Sequence, residues 1–160
     1  MGIQLAPLLE TRRIKIEELS GQRIAIDGFN VLYQFLTSIR QADGSLLTDT
    51  EGRVTSHLSG ILFRFSKLVA NGLRLCIVFD GKPPALKMNL LEERKQRKLK
   101  AQIEWEAAIE AGDTETARTK AQQTTRLEPH MIDESKKLLD LLGVPWVEAP
   151  SEGEAQVASL

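Results

Sequence analysis

Three short apolar runs mark the positions of predicted strands. They lie at 23–26, 73–79 and 144–147, and each is rich in β-branched residues or bounded by Gly or Pro. Runs of this length and composition are typical of strands buried in a sheet. The chain is therefore expected to contain at least three buried strands.

The segments between these runs have the spacing of amphipathic helices. In 54–71, apolar side chains recur at steps of three and four residues, and a second apolar face precedes Gly143. These patterns predict helices that end near the glycines that follow them. A further helix is predicted over 30–40, and 41–52 is predicted to be a loop. The alternation of strands and helices predicts an α/β fold with a parallel sheet flanked by helices.

Composition and charge exclude several classes of protein. The chain has 160 residues, of which 42% are hydrophobic and 27% charged, with a formal net charge of -1. This balance is typical of a globular domain with one core. No apolar run reaches the roughly 18 to 20 residues of a membrane span, and no targeting segment is visible. The single cysteine, Cys76, cannot form an internal disulfide, which indicates a reduced, intracellular protein.

The near-zero net charge conceals a segregated middle region. Residues 87–100 carry six basic side chains against two acidic ones, whereas 101–117 carry five acidic side chains and no basic one. The span 88–125 favours helix and is poor in apolar residues, so it cannot bury much of itself. A long solvated helical hairpin without a role is the alternative to a binding segment.

Carboxylates follow two of the predicted strands and open the last predicted helix. Asp27-Gly28 and Asp80-Gly81 end the first two strands, at the carboxyl edge where open α/β sheets place their sites. Asp-Gly is also an ordinary turn dipeptide, so each aspartate alone is equally consistent with a turn. The third strand leads into Ser151-Glu152-Gly153-Glu154, whose spacing predicts a capping box between Ser151 and Glu154. A glycine in a first helical turn costs stability, which suggests a close approach there.

Four carboxylates converging on one edge would need bound cations, because each close pair repels by about 4 kcal/mol at an effective dielectric near 20. The four candidates are Asp27, Asp80, Glu152 and Glu154. Oxygen ligands without clustered His or paired Cys favour Mg²⁺ or Mn²⁺ over Zn²⁺, and such ions support phosphoryl transfer. Lys87 and Arg94, on one face of a predicted helix, would then supply positive charge to a phosphodiester. Nucleic acid is the substrate that this arrangement favours.

Five ordered blocks of this sequence closely resemble the N-terminal half of the flap endonucleases, the structure-specific 5′ nucleases of DNA replication and repair, and look most like the archaeal members. The blocks are 1–4, 24–27 together with 33–36, 52–58, 78–84 and 149–155. The resemblance covers essentially the whole chain. It implies a 5′ nuclease or PIN-like α/β fold, with 1–160 as a partial N-terminal nuclease domain. A helical arch is expected to protrude over about 82–128.

The resemblance also implies roles for ten residues. Asp27, Asp80, Glu152 and Glu154 match carboxylates that hold two catalytic divalent ions, Mg²⁺ or Mn²⁺. Lys87 and Arg94 match basic residues at the base of the arch that contact the scissile phosphate. The remaining matches, all near DNA, are Gly2, Tyr33, Arg40 and Arg64. A core tyrosine and ordinary surface arginines are the alternatives for the last three. His57 and His130 are isolated and are assigned no chemistry.

The implied activity is divalent-metal-dependent hydrolysis at a single-strand to duplex junction, which releases a 5′ flap. The implied enzyme is intracellular, and cytoplasmic in an archaeon. Family members are about twice as long, so further aspartates, a duplex-binding module and a peptide that docks on the sliding clamp are expected to be absent here. The chain alone is therefore expected to be weak or inactive. The alternatives are a non-catalytic DNA-binding or partner-binding fragment and a receiver- or phosphatase-type domain, although Asp27-Gly28-Phe29-Asn30 lacks the paired aspartate of such phosphatases.

Overall fold

The computed structural model describes residues 10–41, 44–82, 88–113, 116, 119–120 and 126–160, and in 88–95 and 98 it describes the backbone. Two predicted site residues, Gly2 and Lys87, lie outside the described residues. A short 3₁₀ helix at Ile16–Leu19 precedes the first strand. The strands are β1 (Arg23–Asp27), β2 (Arg74–Phe79) and β3 (Trp146–Glu148). The α-helices are α1 (Gly28–Ser38), α2 (Ser56–Gly60), α3 (Ser66–Ala70), α4 (Met88–Glu110), α5 (Pro129–Leu141) and α6 (Gly153–Ser159).

The strands form one parallel sheet in the order β1-β2-β3. Ile26 pairs with Ile77, which pairs in turn with Trp146. This confirms the predicted α/β fold with a parallel sheet flanked by helices. The third strand begins later than predicted because Pro145 has no N–H to donate to the ladder. Its carbonyl still accepts a hydrogen bond from the Ile77 N–H at 2.9 Å, so pairing starts just ahead of β3.

The two faces of the sheet have different roles. On one face, alternate residues of β2 pack with α1, α5 and the helical segment before β2 to form the core. The main buried members are Leu32, Phe35, Ile61, Phe65, Leu75, Ile77, Phe79 and Leu139. On the other face, α6 packs against β1 and β2. Because strand side chains alternate in direction, Asp27 and Asp80 belong to this second face together with Val78.

The amphipathic segment predicted over 54–71 is helical but not uniform. A π-helical stretch at Ile61–Phe65 joins α2 to α3 without a break. Directly before it, Gly60 lies so close to α1 that an added Cβ would stand 2.2 Å from the Phe35 ring. A larger residue would separate the two helices, so glycine permits the close packing of α1 and α2. The predicted helix over 30–40 is likewise confirmed, although it begins at Gly28, directly after Asp27.

The charged middle region contains the longest helix, α4, with 23 residues. Gly112, with φ 71°, follows its end, and the Asp113 N–H donates to the Ala108 carbonyl, as in a helix-terminating turn. Beyond the turn, Lys120 forms an ion pair with Glu104 of α4, so the chain returns alongside the helix. The predicted helical character is confirmed for α4, and the arch over 82–128 stays a prediction. Among the described residues, no helix combines the length and apolar character that a membrane span requires.

A buried histidine joins the helical segment to α5. The His57 side chain is fully buried, and its Nε2 lies 3.0 Å from Glu134 Oε2. Within the described part of the chain, Nδ1 has no hydrogen-bond partner. Burial lowers the pKa of His57 below its usual 6.5, and this effect exceeds the opposing influence of Glu134; nearby His130 lowers it further. The folded state therefore favours the neutral imidazole.

This burial predicts a loss of stability in mild acid. The unfolded chain takes up a proton at His57 at a higher pH than the folded chain does, so the free energy of unfolding should fall as pH drops below 6.5. Urea unfolding between about pH 7 and 5 should show this decline in the wild type and a shallower one in His57→Gln. The comparison variant His130→Gln, at an exposed position, should keep most of the wild-type slope, because burial is the main cause of the lowered pKa of His57 and His130 contributes least to it. Identical slopes in the wild type and His57→Gln would contradict the assignment.

Candidate active site at the carboxyl edge of the sheet

Asp27 ends β1 and caps α1. Its Oδ1 accepts a hydrogen bond from the Asn30 N–H at 2.9 Å, which satisfies one of the free donors at the start of the helix. Gly28 follows because a Cβ there would stand 2.9 Å from the Phe79 ring. The cap fixes the orientation of the carboxylate while occupying one of its two oxygens. The turn and ligand interpretations of Asp27 are therefore compatible.

Asp80 follows β2 and contacts the loop after β3. Its Oδ1 accepts a hydrogen bond from the Gly153 N–H at 2.7 Å. In the same region the Gly81 N–H donates to the Ser151 carbonyl at 2.6 Å. These bonds extend the contact between β2 and β3 beyond the ends of the strands. Asp80 is thereby attached to the segment that carries Glu152 and Glu154.

The predicted capping box at Ser151 is wrong. The N-cap of α6 is Glu152, which makes no side-chain capping hydrogen bond, and the helix begins at Gly153. The Ser151 hydroxyl instead donates to the Lys82 carbonyl at 3.3 Å. Ser151 lies one residue too early to cap because it belongs to the contact between the two loops. Glu154 is exposed in the first turn of α6, where a negative charge is favourable.

The structure connects only some of the predicted metal ligands to one another. It attaches Asp80 to the segment of Glu152 and Glu154, and it places Asp27 on the neighbouring strand and the same sheet face. Among the described residues, no group of three or more His, Cys, Asp or Glu side chains stands close enough to hold a metal ion. Convergence of all four carboxylates therefore stays a prediction.

The residues present fit a hydrated divalent cation. All the candidate donors are carboxylate oxygens, which Mg²⁺ prefers. Mg²⁺ commonly binds through one or two carboxylates and keeps several waters, so it does not require a closed cage of protein ligands. Gly153 has no side chain, so the start of α6 can approach the Asp80 carboxylate closely; an added Cβ would stand 2.5 Å from Asp80 Oδ1.

Glu148 is a further carboxylate at this edge to which the sequence analysis gave no role. It ends β3 in register with Phe79 and forms an ion pair with Lys136 of α5. The Lys136 Nζ also lies 5.3 Å from the centre of the Phe79 ring and 4.9 Å from that of Trp146. The Lys136 charge compensates Glu148 and ties α5 to the end of β3. The signal in the sequence was the same as for Asp27 and Asp80, a carboxylate at a strand end.

The predicted DNA contacts lie on α1 and the following helical segment. Tyr33 is partly buried on α1. Arg64 is exposed on the π-helical stretch, with its guanidinium 5.6 Å from the centre of the Phe35 ring. Arg40 donates to the Leu36 carbonyl at 3.0 Å and to the Gly44 carbonyl at 2.8 Å, and burial lowers its pKa. Arg40 therefore holds the loop after α1, whatever contact it makes with DNA.

Arg94 lies within α4, where the structure describes the backbone. It stands in the basic part of this helix, as the sequence analysis expected. Together with the acidic sheet edge, the site consists of strand-end carboxylates on a parallel α/β sheet and a long charged helix that follows β2. This combination agrees with the 5′ nuclease fold that the sequence resemblance implies.

Comparison with known proteins identifies the family. The model of the XPG N-terminal domain matches residues 1–101, and the chain belongs to this family. It is 52% identical to flap endonuclease 1 of Aeropyrum pernix, over 99% of this chain and 46% of that protein. The chain thus spans about half the length of the curated relatives it matches.

Solved structures agree with this assignment. Flap endonuclease-1 from Methanococcus jannaschii has a TM-score of 0.70 and 42% identity, covering 99% of this chain and 50% of the other. The catalytic core of Rad2 in complex with DNA substrate has a TM-score of 0.63 and 31% identity, over 93% of this chain and 38% of the other. The resemblance to flap endonucleases and the 5′ nuclease fold are both confirmed.

Because Asp27 caps α1, we expect its contribution to stability to come from the capping hydrogen bond and not from its charge. Asn caps helices as well as Asp does, so Asp27→Asn should unfold like the wild type or be slightly more stable, because it removes a charge from an acidic edge. Asp27→Ala should lower the free energy of unfolding by about 1 kcal/mol through loss of the cap. Thermal unfolding of the three proteins tests this. Equal destabilisation by Asn and Ala would show that the cap is not what the side chain contributes.

Proposed function

We propose that this chain carries the N-terminal part of a divalent-metal-dependent 5′ flap endonuclease that acts in DNA replication and repair. The observation that carries the proposal is the hydrogen bond between Asp80 and the Gly153 N–H. It attaches the carboxylate after β2 to the segment with two further acidic residues, in a chain that is 52% identical to a flap endonuclease 1. Acidic side chains brought together at the carboxyl edge of a parallel sheet are a common basis for phosphoryl transfer chemistry.

In this proposal Asp27, Asp80, Glu152 and Glu154 hold Mg²⁺ or Mn²⁺, with two ions in the complete site. When bound, the ions supply an activated water and neutralise the charge that develops on the leaving oxygen. Asp80 and Asp27 are each oriented by a backbone N–H, so their carboxylates are held in place before substrate binds. This arrangement lowers the cost of ordering the site when the phosphodiester arrives.

The nucleic acid would approach from the side of α4. Lys87 and Arg94 are proposed to contact the scissile phosphate, because Arg and Lys bind phosphate oxygens with charge-assisted hydrogen bonds. The arch over 82–128 would admit the single-stranded 5′ flap. The proposed further contacts, which rest on the family resemblance, are Gly2, Tyr33, Arg40 and Arg64. The exposed Arg64 on the helical segment before β2 supports a phosphate contact there.

A complex of Rad2 with DNA substrate supports DNA as the partner of this chain as well. For a longer protein that includes this chain, we also propose the sliding clamp as a partner and a cytoplasmic location in an archaeon. Both of these rest on the family resemblance.

One observation favours a second candidate function, a non-catalytic DNA-binding fragment. Arg97 and Lys100, in the basic part of α4, are exposed. A chain with an incomplete ligand set could still bind DNA through its basic stretch, since phosphate contacts dominate affinity. The two candidates differ in whether substitution of Asp80 changes cutting.

Cleavage of an end-labelled 5′ flap DNA in Mg²⁺ tests the proposed function. The 160-residue chain should bind the DNA and cut it slowly or not at all, whereas a longer protein that includes it should cut readily. Asp80→Asn in the longer protein should lower the rate by about 100-fold or more and leave DNA binding nearly unchanged. Asp133→Asn, at an exposed position of α5, is the matched control and should cut normally. Normal cutting by Asp80→Asn would refute the nuclease assignment of this edge.

A further inference from the structure

Hydrogen bonds join the loops after β2 and β3 past the ends of the strands. The last parallel pair, Phe79 with Glu148, includes the bond from the Ala149 N–H to the Phe79 carbonyl at 2.8 Å, and beyond it the Gly81 N–H donates to the Ser151 carbonyl at 2.6 Å. The Gly153 N–H then donates to Asp80 Oδ1 at 2.7 Å. The first two bonds link backbone to backbone. The third links the backbone of one loop to a candidate metal ligand on the other.

Glycine at 81 and 153 is required by space and not by backbone conformation. Within the described residues, the glycines with positive φ are Gly21, Gly44, Gly52, Gly72, Gly112 and Gly143. Gly81 and Gly153 are not among them, so another residue could adopt their φ without strain. An added Cβ, however, would stand 2.0 Å from the Ala149 carbonyl oxygen at Gly81, and 2.5 Å from Asp80 Oδ1 at Gly153. Both distances are too short for a real contact.

The two glycines differ in what would have to move. At Gly81 the obstructing atoms belong to the backbone of Ala149 and Pro150, so a side chain there would force the two loops apart. At Gly153 the obstructing atom is the end of the Asp80 side chain, and the next neighbour, Val78 Cγ1, is at an ordinary 3.6 Å. A methyl group at 153 would therefore displace the carboxylate and leave the fold intact.

Helix propensity and the contact with Asp80 favour different residues at position 153. Gly153 is the first residue of α6, and alanine is the better helix former. Considered as part of a helix alone, position 153 should favour alanine. Considered as the support of Asp80, it should favour glycine, because the N–H and the carboxylate meet at 2.7 Å only if no Cβ intervenes. The stability of the helix and the geometry of the carboxylate therefore make opposite demands on this residue.

We propose that Gly153 is a positioning residue for the divalent cation. Its N–H orients the Asp80 carboxylate, and its lack of a side chain lets the segment with Glu152 and Glu154 approach that carboxylate. The inference rests on the proposed function, since it concerns the same metal site. It adds a residue without a ligating group to those that determine cation affinity.

Mn²⁺ binding to the 160-residue chain, measured by electron paramagnetic resonance of the free ion, tests the inference without relying on activity. Gly153→Ala should weaken Mn²⁺ binding by about tenfold, the lower end of what loss of a supporting contact costs a metal site. Its urea unfolding midpoint should equal or exceed that of the wild type. The matched control is Gly60→Ala, in which the added methyl would collide with the Phe35 ring on the opposite face of the sheet. This control should lower the unfolding midpoint and leave Mn²⁺ affinity of the folded protein unchanged.

Asp80→Asn separates failure of the inference from failure of the proposed function. If the wild type does not bind Mn²⁺, or if Asp80→Asn binds it as tightly as the wild type does, Mn²⁺ does not bind at Asp80. The proposed metal site is then wrong, and the inference is wrong with it. If Asp80→Asn loses binding while Gly153→Ala binds like the wild type, the inference alone is wrong. If Gly153→Ala is destabilised as much as Gly60→Ala, Gly153 serves packing, and this also overturns the inference.

Discussion

The contact between the loops after β2 and β3 is the constraint on which the candidate site depends. Parallel pairing of these strands ends at Phe79 and Glu148, yet hydrogen bonds continue to Gly153. Because the loops remain in contact, the start of α6 lies against the Asp80 carboxylate. This contact adds to the packing of α6 on β1 and β2 and orients the Asp80 carboxylate toward the segment with Glu152 and Glu154.

The rest of the fold supports this edge from the opposite face. The side chains of Ile77 and Phe79 enter the core with α1 and α5, which fixes the end of β2. Lys136 adds an ion pair to Glu148 and lies over the rings of Phe79 and Trp146, so the end of β3 is held as well. A rigid, apolar face thus carries an acidic edge. Open α/β sheets place their ligand sites at this end of the strands.

Much of the fold could be predicted from the sequence because its signals are local. The apolar runs predicted the three strands, and the spacing of apolar residues in 54–71 predicted a helical segment. The π-helical stretch at Ile61–Phe65 was not predictable, because the spacing of apolar residues does not distinguish it from an α-helix; in the structure its Phe65 ring packs on Phe35 of α1. The start of β3 was misplaced for a local reason that apolar patterning does not weigh, the missing N–H of Pro145.

The candidate site was predictable as a set of residues but less so as a geometry. The glycine at 153 correctly suggested a close approach, and its partner proved to be Asp80, 73 residues away. The capping box failed for the same reason, because Ser151 is engaged by Lys82, 69 residues away. His57 had no visible role because its partner, Glu134, is 77 residues distant. Contacts between positions so far apart cannot be identified from spacing along one chain.

The location of a bound Mn²⁺ ion tests the central claim most directly. Anomalous diffraction from crystals of the chain grown with Mn²⁺ would locate the ion without reference to activity. We expect a peak at the carboxyl edge of the sheet, within coordination distance of the Asp80 carboxylate and beside the start of α6. A well-occupied peak elsewhere, with the Asp80 carboxylate free of metal, would contradict it.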